Sequence, residues 1–307
     1  MKKFIAVICL TVAICLCFTG CKSEDYKQAM ALQDAGDYTA AAAIYSTLGD
    51  YEDSADRFAA CNAMIAAIEA YDSAAALLSE KNTELDAAVA EAQGLVTDGA
   101  PTLDDTLVPA LQTAISEATA ARKEGHEMPG DADAITVAAE EMNAVDYSTV
   151  LTALSESRSA LEESIAQYAL VDAPSEAYII ECLLMVPGIV DIAAVTEDND
   201  PNGNLNKAGG YTSQVYFSSE LIDQNSVYGT DLIDKATDSG GSIEVYSTVE
   251  DAEKRNIYLG AFDGTFLASG SHCVIGTVLV RTSNKLTATQ QKELEANIIA
   301  VLTSVED

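Results

Sequence analysis

The chain has 307 residues, 49% of them apolar and none of them tryptophan, with 49 Asp and Glu against 16 Lys and Arg, a net charge of −33. That excess of acid repels phosphate backbones and anionic headgroups, which excludes nucleic acid as a partner. The apolar share is enough for real cores, and the length predicts two or three domains.

Lys2 and Lys3 open the chain, an uncharged apolar run follows from Phe4 to Phe18, and Thr19-Gly20-Cys21 closes it. This pattern predicts a secretory signal peptide. The run is shorter than the roughly 20 apolar residues of a bilayer span. Its ending, Phe18-Thr19-Gly20-Cys21, resembles a bacterial lipobox. The resemblance implies that residues 1–20 are removed and that Cys21 takes a diacylglycerol lipid and becomes the first mature residue. The mature protein is then a lipoprotein at the outer face of the membrane, with the membrane as its first partner. An ordinary signal peptide with a chance cysteine is the alternative. Cys9, Cys15 and Cys17 leave with the leader, so only Cys61, Cys182 and Cys273 remain. Three widely spaced cysteines make neither a disulfide framework nor a metal-ligand pattern. They are expected as buried small apolar groups, with a Cys182–Cys273 bridge as the alternative.

Residues 21–61 predict a helical hairpin. Ala29 and Leu32, then Ala41, Ile44, Tyr45 and Leu48, recur at helical spacing. Gly36-Asp37-Tyr38 and Gly49-Asp50-Tyr51 repeat one stop-and-start signal, a glycine to end a helix and an aspartate to cap the next. The pattern from Tyr26 to Cys61 resembles a tetratricopeptide-type repeat of the variant found in Gram-positive lipoproteins. Only about one and a half repeats fit, too few for a concave groove. Residues 62–171 predict a three-helix bundle used as a spacer. Leu78, Leu85, Val89, Ala92 and Leu95 line its first helix, which Gly94 and Gly99-Ala100-Pro101 end. Leu107, Leu111 and Ile115 line the second, and Leu151, Leu154, Leu161 and Ile165 the third, with a short extra helix near Ala134–Met142. His126 reads as a solvated loop residue. The bundle resembles helical spacer modules of Gram-positive surface adhesins.

Composition changes at Asp172-Ala173-Pro174, and residues 172–307 predict an α+β head. Its elements are a helix to Met185, strands at Ile189–Thr196, Ser213–Phe217 and Ser242–Tyr246, a helix capped by Thr248 and Asp251, one apolar strand at Cys273–Arg281, and a helix capped by Thr287 and Gln290. The expected fold is therefore α+β and multidomain, an all-α N-terminal part followed by a mixed sheet of four or five strands with helices mainly on one face. Thr196–Gly203, Gly209-Gly210-Tyr211-Thr212, Gly240–Tyr246, Phe262-Asp263-Gly264-Thr265 and Ser269-Gly270-Ser271-His272 are similar to the head of uncharacterised clostridial-type lipoproteins. Some of these are labelled extracellular-matrix-binding, which implies an extracellular or cell-wall protein partner.

Asp198, Asp200 and Asn202, with Gly203 after them, fit the first, third, fifth and sixth positions of a calcium loop. The twelfth position is Gly209 rather than a glutamate, so two readings stand, a calcium site and an Asx-rich turn. Catalysis finds less support. His272 and Cys273 are neighbours on a strand and point to opposite faces, Ser269 and Ser271 lack the Gly-x-Ser-x-Gly elbow, and the paired glycines form no phosphate loop. With no tryptophan, a saccharide would have only tyrosines such as Tyr211, Tyr216 and Tyr246 to stack on. The function expected is a non-enzymatic, adhesin-like binding module of the cell envelope. A hydrolase using head carboxylates and a solute-binding lipoprotein are the alternatives.

Overall fold

The computed structural model describes residues 21–265 and 268–305. The leader expected over residues 1–20 lies outside them. The fold is α+β, helical at first and then built on a five-stranded sheet. The helices before the sheet domain are α1 (Lys22–Asp34), α2 (Tyr38–Leu48), α3 (Ser54–Asp98), α4 (Leu107–Ala121), α5 (Ala132–Asn143) and α6 (Ser148–Leu170).

The residues divide into two compact units. One holds the chain up to Leu85 together with Arg122–Tyr147, and the other holds Asp86–Ala121 and everything from Ser148 on. Neither expected boundary, at 61/62 or at 171/172, coincides with this division. Position 61 lies inside α3, whose 45 residues include no proline and one glycine, Gly94. A single glycine costs a helix about 1 kcal/mol, too little to break one this rich in alanine. The helix passes through Gly94 and ends only before Gly99, which has a φ of +62°.

In the first unit α1, α2 and the start of α3 bury Ala29, Ala41, Tyr45, Leu48 and Cys61 together. Asp37 caps α2 as its spacing predicts, its Oδ1 accepting from the Ala40 N–H at 3.0 Å. The second stop works differently, because Asp53 rather than Asp50 is engaged. Asp53 accepts from the Tyr26 hydroxyl and from Arg57 Nε at 2.9 Å, and Arg57 Nη1 reaches Gln33 Oε1 at 3.2 Å. The Tyr26 hydrogen bond, with help from Arg57, holds the Asp53 carboxyl below its usual range. Further along, Ala67, Tyr71, Ala74 and Leu78 of α3 pack against Ile135, Ala138, Ala139 and Met142 of α5.

In the second unit α4 and α6 run side by side, and Ser164 Oγ accepts the Leu103 and Asp104 N–H groups at 3.1 Å each. The sheet domain follows as α7 (Glu176–Met185), β1 (Ile189–Ala194), β2 (Ser213–Ser219), α8 (Leu232–Lys235), β3 (Gly240–Val245), α9 (Val249–Gly260), β4 (His272–Ile275), β5 (Val278–Thr282) and α10 (Ala288–Leu302). Thr277, in the β4–β5 turn, donates its N–H to the Val171 carbonyl at 2.9 Å, and its Oγ1 accepts from the Ala173 N–H at 2.7 Å. These bonds tie the end of α6 to the sheet, so the chain does not separate at 171/172.

The sheet order is β1-β2-β3-β5-β4 and every neighbouring pair is antiparallel, so the sheet is not mixed. The difference comes from one turn. The expected single strand Cys273–Arg281 is broken at Gly276-Thr277, where Gly276 takes a φ of +55° and Ile275 pairs with Val278. The chain folds back there and β5 inserts between β3 and β4. The crossover β3-α9-β4 exists, but its two parallel strands are not neighbours.

Helices cover both faces, not mainly one. Val215, Phe217, Ile243, Val245, Val278 and Val280 face Ile179, Cys182 and Leu183 of α7 and Leu294, Ile298 and Leu302 of α10. The alternate residues Tyr216, Tyr246 and Leu279 face Ala252 and Leu259 of α9, Leu232 of α8, and Leu205 and Tyr211 of the β1–β2 connection. A central strand buried on both faces needs cover on both. Each large side chain so buried contributes about 1.5–3 kcal/mol.

Candidate functional site

The α9 side of the sheet carries polar groups where an apolar face would be expected. The register sets Tyr216, Ser242, Arg281 and His272 in one row across the strands, and Gln214 and Glu244 in the next. Glu244 has no exposed surface, and four donors converge on its carboxylate. Arg281 Nη1 lies 2.8 Å from Oε1, Gln214 Nε2 3.4 Å from Oε1, the Tyr246 hydroxyl 2.6 Å from Oε2 and Arg255 Nε 3.2 Å from Oε2. Burial by itself acts most strongly and pushes the Glu244 pKa up. The two guanidiniums and the Tyr246 hydroxyl outweigh it and hold the carboxyl below its usual range, so Glu244 is ionised.

The loop with the calcium-like spacing is joined to this network. Asp200 accepts from the Asn202 N–H at 2.9 Å, the Leu205 N–H at 2.8 Å and the Tyr211 hydroxyl. Asn202 Nδ2 donates to the Tyr211 oxygen at 3.3 Å and to Gln214 Oε1 at 3.4 Å. A chain of hydrogen bonds thus runs from Asp200 through Tyr211, Asn202 and Gln214 to Glu244. Asp198 takes no part in it and is exposed. Burial presses the Asp200 pKa upward, yet the Tyr211 hydroxyl and the backbone N–H groups hold it low. Calcium requires six to eight oxygen acceptors around it. The Asp200 carboxylate instead meets hydrogen-bond donors, which is the arrangement of an Asx turn pinned to the sheet. Among the described residues no group of three or more His, Cys, Asp or Glu side chains is placed to hold a metal ion.

His272 and Cys273 point to opposite faces as the strand period demands. His272 Nδ1 meets Asn256 Oδ1 at 2.6 Å on the α9 side, with Asp263 Oδ1 3.4 Å from Nε2. Cys273 packs on the other side, where burial and then the nearby Glu295 push its thiol pKa up to about 12. A thiol so disfavoured as thiolate is no nucleophile at neutral pH. The described cysteines Cys21, Cys61, Cys182 and Cys273 are all free thiols.

The tyrosines Tyr211, Tyr216 and Tyr246 are buried in this face, so none of them is a platform for a ligand. Among the described residues of the sheet domain the most exposed aromatic is one that spacing does not mark, Tyr228, 97% accessible, ahead of Tyr258 of α9 at 56%. It stands at a cleft of about 710 Å³ lined by Asn225, Ser226, Val227, Tyr228, Gly229, Thr230 and Asp234. Cys21 precedes α1 and is exposed. No described helix is long and apolar enough to cross a membrane. Comparison with family models, curated proteins and solved structures finds no match to this chain.

Proposed function

We propose that this chain is a lipid-anchored binding protein of the cell envelope, held to the outer face of the membrane through Cys21 and acting by contact with an extracellular or wall ligand rather than by catalysis. The observation that carries the binding reading is the Tyr228 cleft, an aromatic ring presented to solvent beside hydrogen-bonding side chains. The carboxylates of the polar network on the α9 side of the sheet speak for the same reading. A hydrolase needs an acid and a base with separated pKa values facing an opening. Glu244 and Asp200 are both held low and both engaged by internal donors.

The tether is tested by metabolic labelling with a clickable fatty acid. Wild type is expected to be labelled and to sediment with membranes, and Cys21→Ala to lose the label and leave the membrane fraction. A Cys21→Ala protein that keeps both, or a wild type that shows neither, overturns the tether.

A further inference from the structure

We propose that the Tyr228 cleft is a binding site for a neutral saccharide. This deepens the binding reading above and rests on it. The cleft belongs to a loop whose flanks are fixed in both cores. Val227, 6% exposed, enters the α7–α10 core, and Leu232, 9% exposed, enters the opposite one. Between these two buried anchors Tyr228 stands 97% exposed. Gly229 sits at a φ of +130°, and a Cβ there would stand 2.8 Å from the Lys235 nitrogen, so the backbone lies directly on α8. Asp223 caps one side of the loop, accepting the Asn225 N–H at 3.0 Å, and Asp231 caps the other, accepting the Ile233 and Asp234 N–H groups at 3.0 and 2.9 Å. The exposure of Tyr228 is therefore built into the loop, and a preorganised loop loses little entropy when it binds.

The lining chemistry selects the ligand. Ser226 donates its hydroxyl to the Asp223 carbonyl at 2.6 Å, and Thr230 donates to Asp234 Oδ2 at 2.5 Å. With those protons committed, the hydroxyl oxygens of Ser226 and Thr230 are left to act as acceptors, and Asn225 and Asp234, which line the same cleft, bring a further amide and carboxylate oxygen. An acceptor-rich wall beside a flat ring suits a ligand with many hydroxyl donors and an apolar C–H face, which describes a sugar. An anionic ligand is disfavoured, because the lining holds Asp234 and no lysine or arginine, in a chain of net charge −33. An apolar ligand is disfavoured because the cleft is open and its wall polar.

The test uses the whole chain from residue 21 and titrates neutral tetrasaccharides, β-1,4-linked glucose, β-1,4-linked N-acetylglucosamine and α-1,4-linked glucose, with tetragalacturonate and choline as charged controls. Saturation-transfer NMR reports contact and calorimetry the affinity. At least one neutral sugar is expected to bind. Tyr228→Ala should weaken it about tenfold or more, Tyr228→Phe by less than about threefold, and Asp234→Asn by an intermediate factor. Because Tyr228 is solvent-facing, Tyr228→Ala should keep the wild-type thermal midpoint, which separates lost binding from lost folding. Failure of every neutral sugar, equal binding by Tyr228→Ala, or preference for tetragalacturonate or choline overturns the saccharide assignment. Attachment of the whole protein to isolated cell envelopes is measured alongside. If Tyr228→Ala reduces attachment while every sugar fails, the ligand class is wrong and the binding reading stands. If attachment does not depend on Tyr228, both fall.

Discussion

Replacing Glu244 by glutamine removes one charge at the centre of the sheet domain and keeps the size of the side chain. Of the two guanidiniums that would lose their counter-charge, Arg255 is 19% exposed and has a route to water, whereas Arg281 is only 9% exposed and meets little water. Arg281 Nη2 retains Ser269 Oγ at 3.0 Å, but Nε is already buried without a partner. The cost is thus that of one stranded buried cation, about 3–5 kcal/mol. A domain's whole stability is about 5–15 kcal/mol. In urea, with a slope of about 2 kcal/mol per M, the unfolding midpoint of Glu244→Gln should fall by about 1.5–2.5 M. The double substitution Glu244→Leu with Arg281→Met should cost less than Glu244→Gln, because it leaves no buried cation at that position. The pH dependence has a definite sign. The folded pKa of Glu244 is depressed, so its contribution is complete above the unfolded value of about 4.3 and is lost as pH falls through the folded value. Wild type should therefore lose stability in acid more steeply than Glu244→Gln does. A midpoint shift under about 0.5 M, or equal acid slopes, would refute the view that this network holds the sheet domain together.

Two glycines should respond to alanine with opposite signs in thermal unfolding. At Gly241 a Cβ would stand 2.2 Å from the Arg281 carbonyl oxygen and 2.4 Å from the Phe217 ring, so Gly241→Ala should cost about 3 kcal/mol. At Gly94, inside α3, a Cβ meets nothing within 4 Å, and Gly94→Ala should stabilise by about 1 kcal/mol. Millimolar calcium is expected to leave the thermal midpoint where it is, since a ligand at about a hundred times its dissociation constant would add about 2.7 kcal/mol. Tyr211→Phe should destabilise by about 1–3 kcal/mol through the donor that Asp200 loses. A calcium-induced rise abolished by Asp200→Ala would reinstate the metal reading.

Elements carried by local signals were legible in the sequence. Asp37, Thr248 and Thr287 cap helices where their spacing places them, and Thr287 with Gln290 forms the full capping box. The helical hairpin, the short helix near residue 135 and the two-sided placement of His272 and Cys273 were readable for the same reason. The breaks in long apolar patterns were not. Gly94, in an amphipathic pattern, and Gly276, in an apolar run, are each a single glycine, yet one is absorbed by a helix and the other reverses a strand. Which outcome follows depends on what packs around it, here on Thr277 reaching Val171. Ile243-Glu244-Val245-Tyr246 reads as a strand with Ile243 and Val245 on one face and leaves the Glu244 side without a role. Only the cross-strand register, with Arg281 and Gln214 on adjacent strands and Arg255 above, reveals that side as a second core. Asp200 and Asn202 were singled out for a metal, and their nearness to Glu244 passes through Gln214, a residue no motif marks. Tyr228 likewise has no spacing to announce it. It lies between Val227 and Leu232, which are buried in opposite cores.

The insertion of β5 between β3 and β4 sets the order in which this molecule can be completed. As the chain is made, β2 and β3 can pair early, but the far edge of β3, with Ile243 and Val245 on it, has no partner until synthesis passes Thr282. The strand that closes the middle of the sheet is separated from β3 by the whole of α9 and β4, so its pairing closes a long loop and is slow. A nascent or truncated chain that stops short of it carries a nearly complete helical region and a sheet with an open, apolar edge. Such an edge is a template for pairing with another chain. The last tenth of the sequence, a small share of the mass, thus decides whether the rest becomes a closed domain or an aggregation seed.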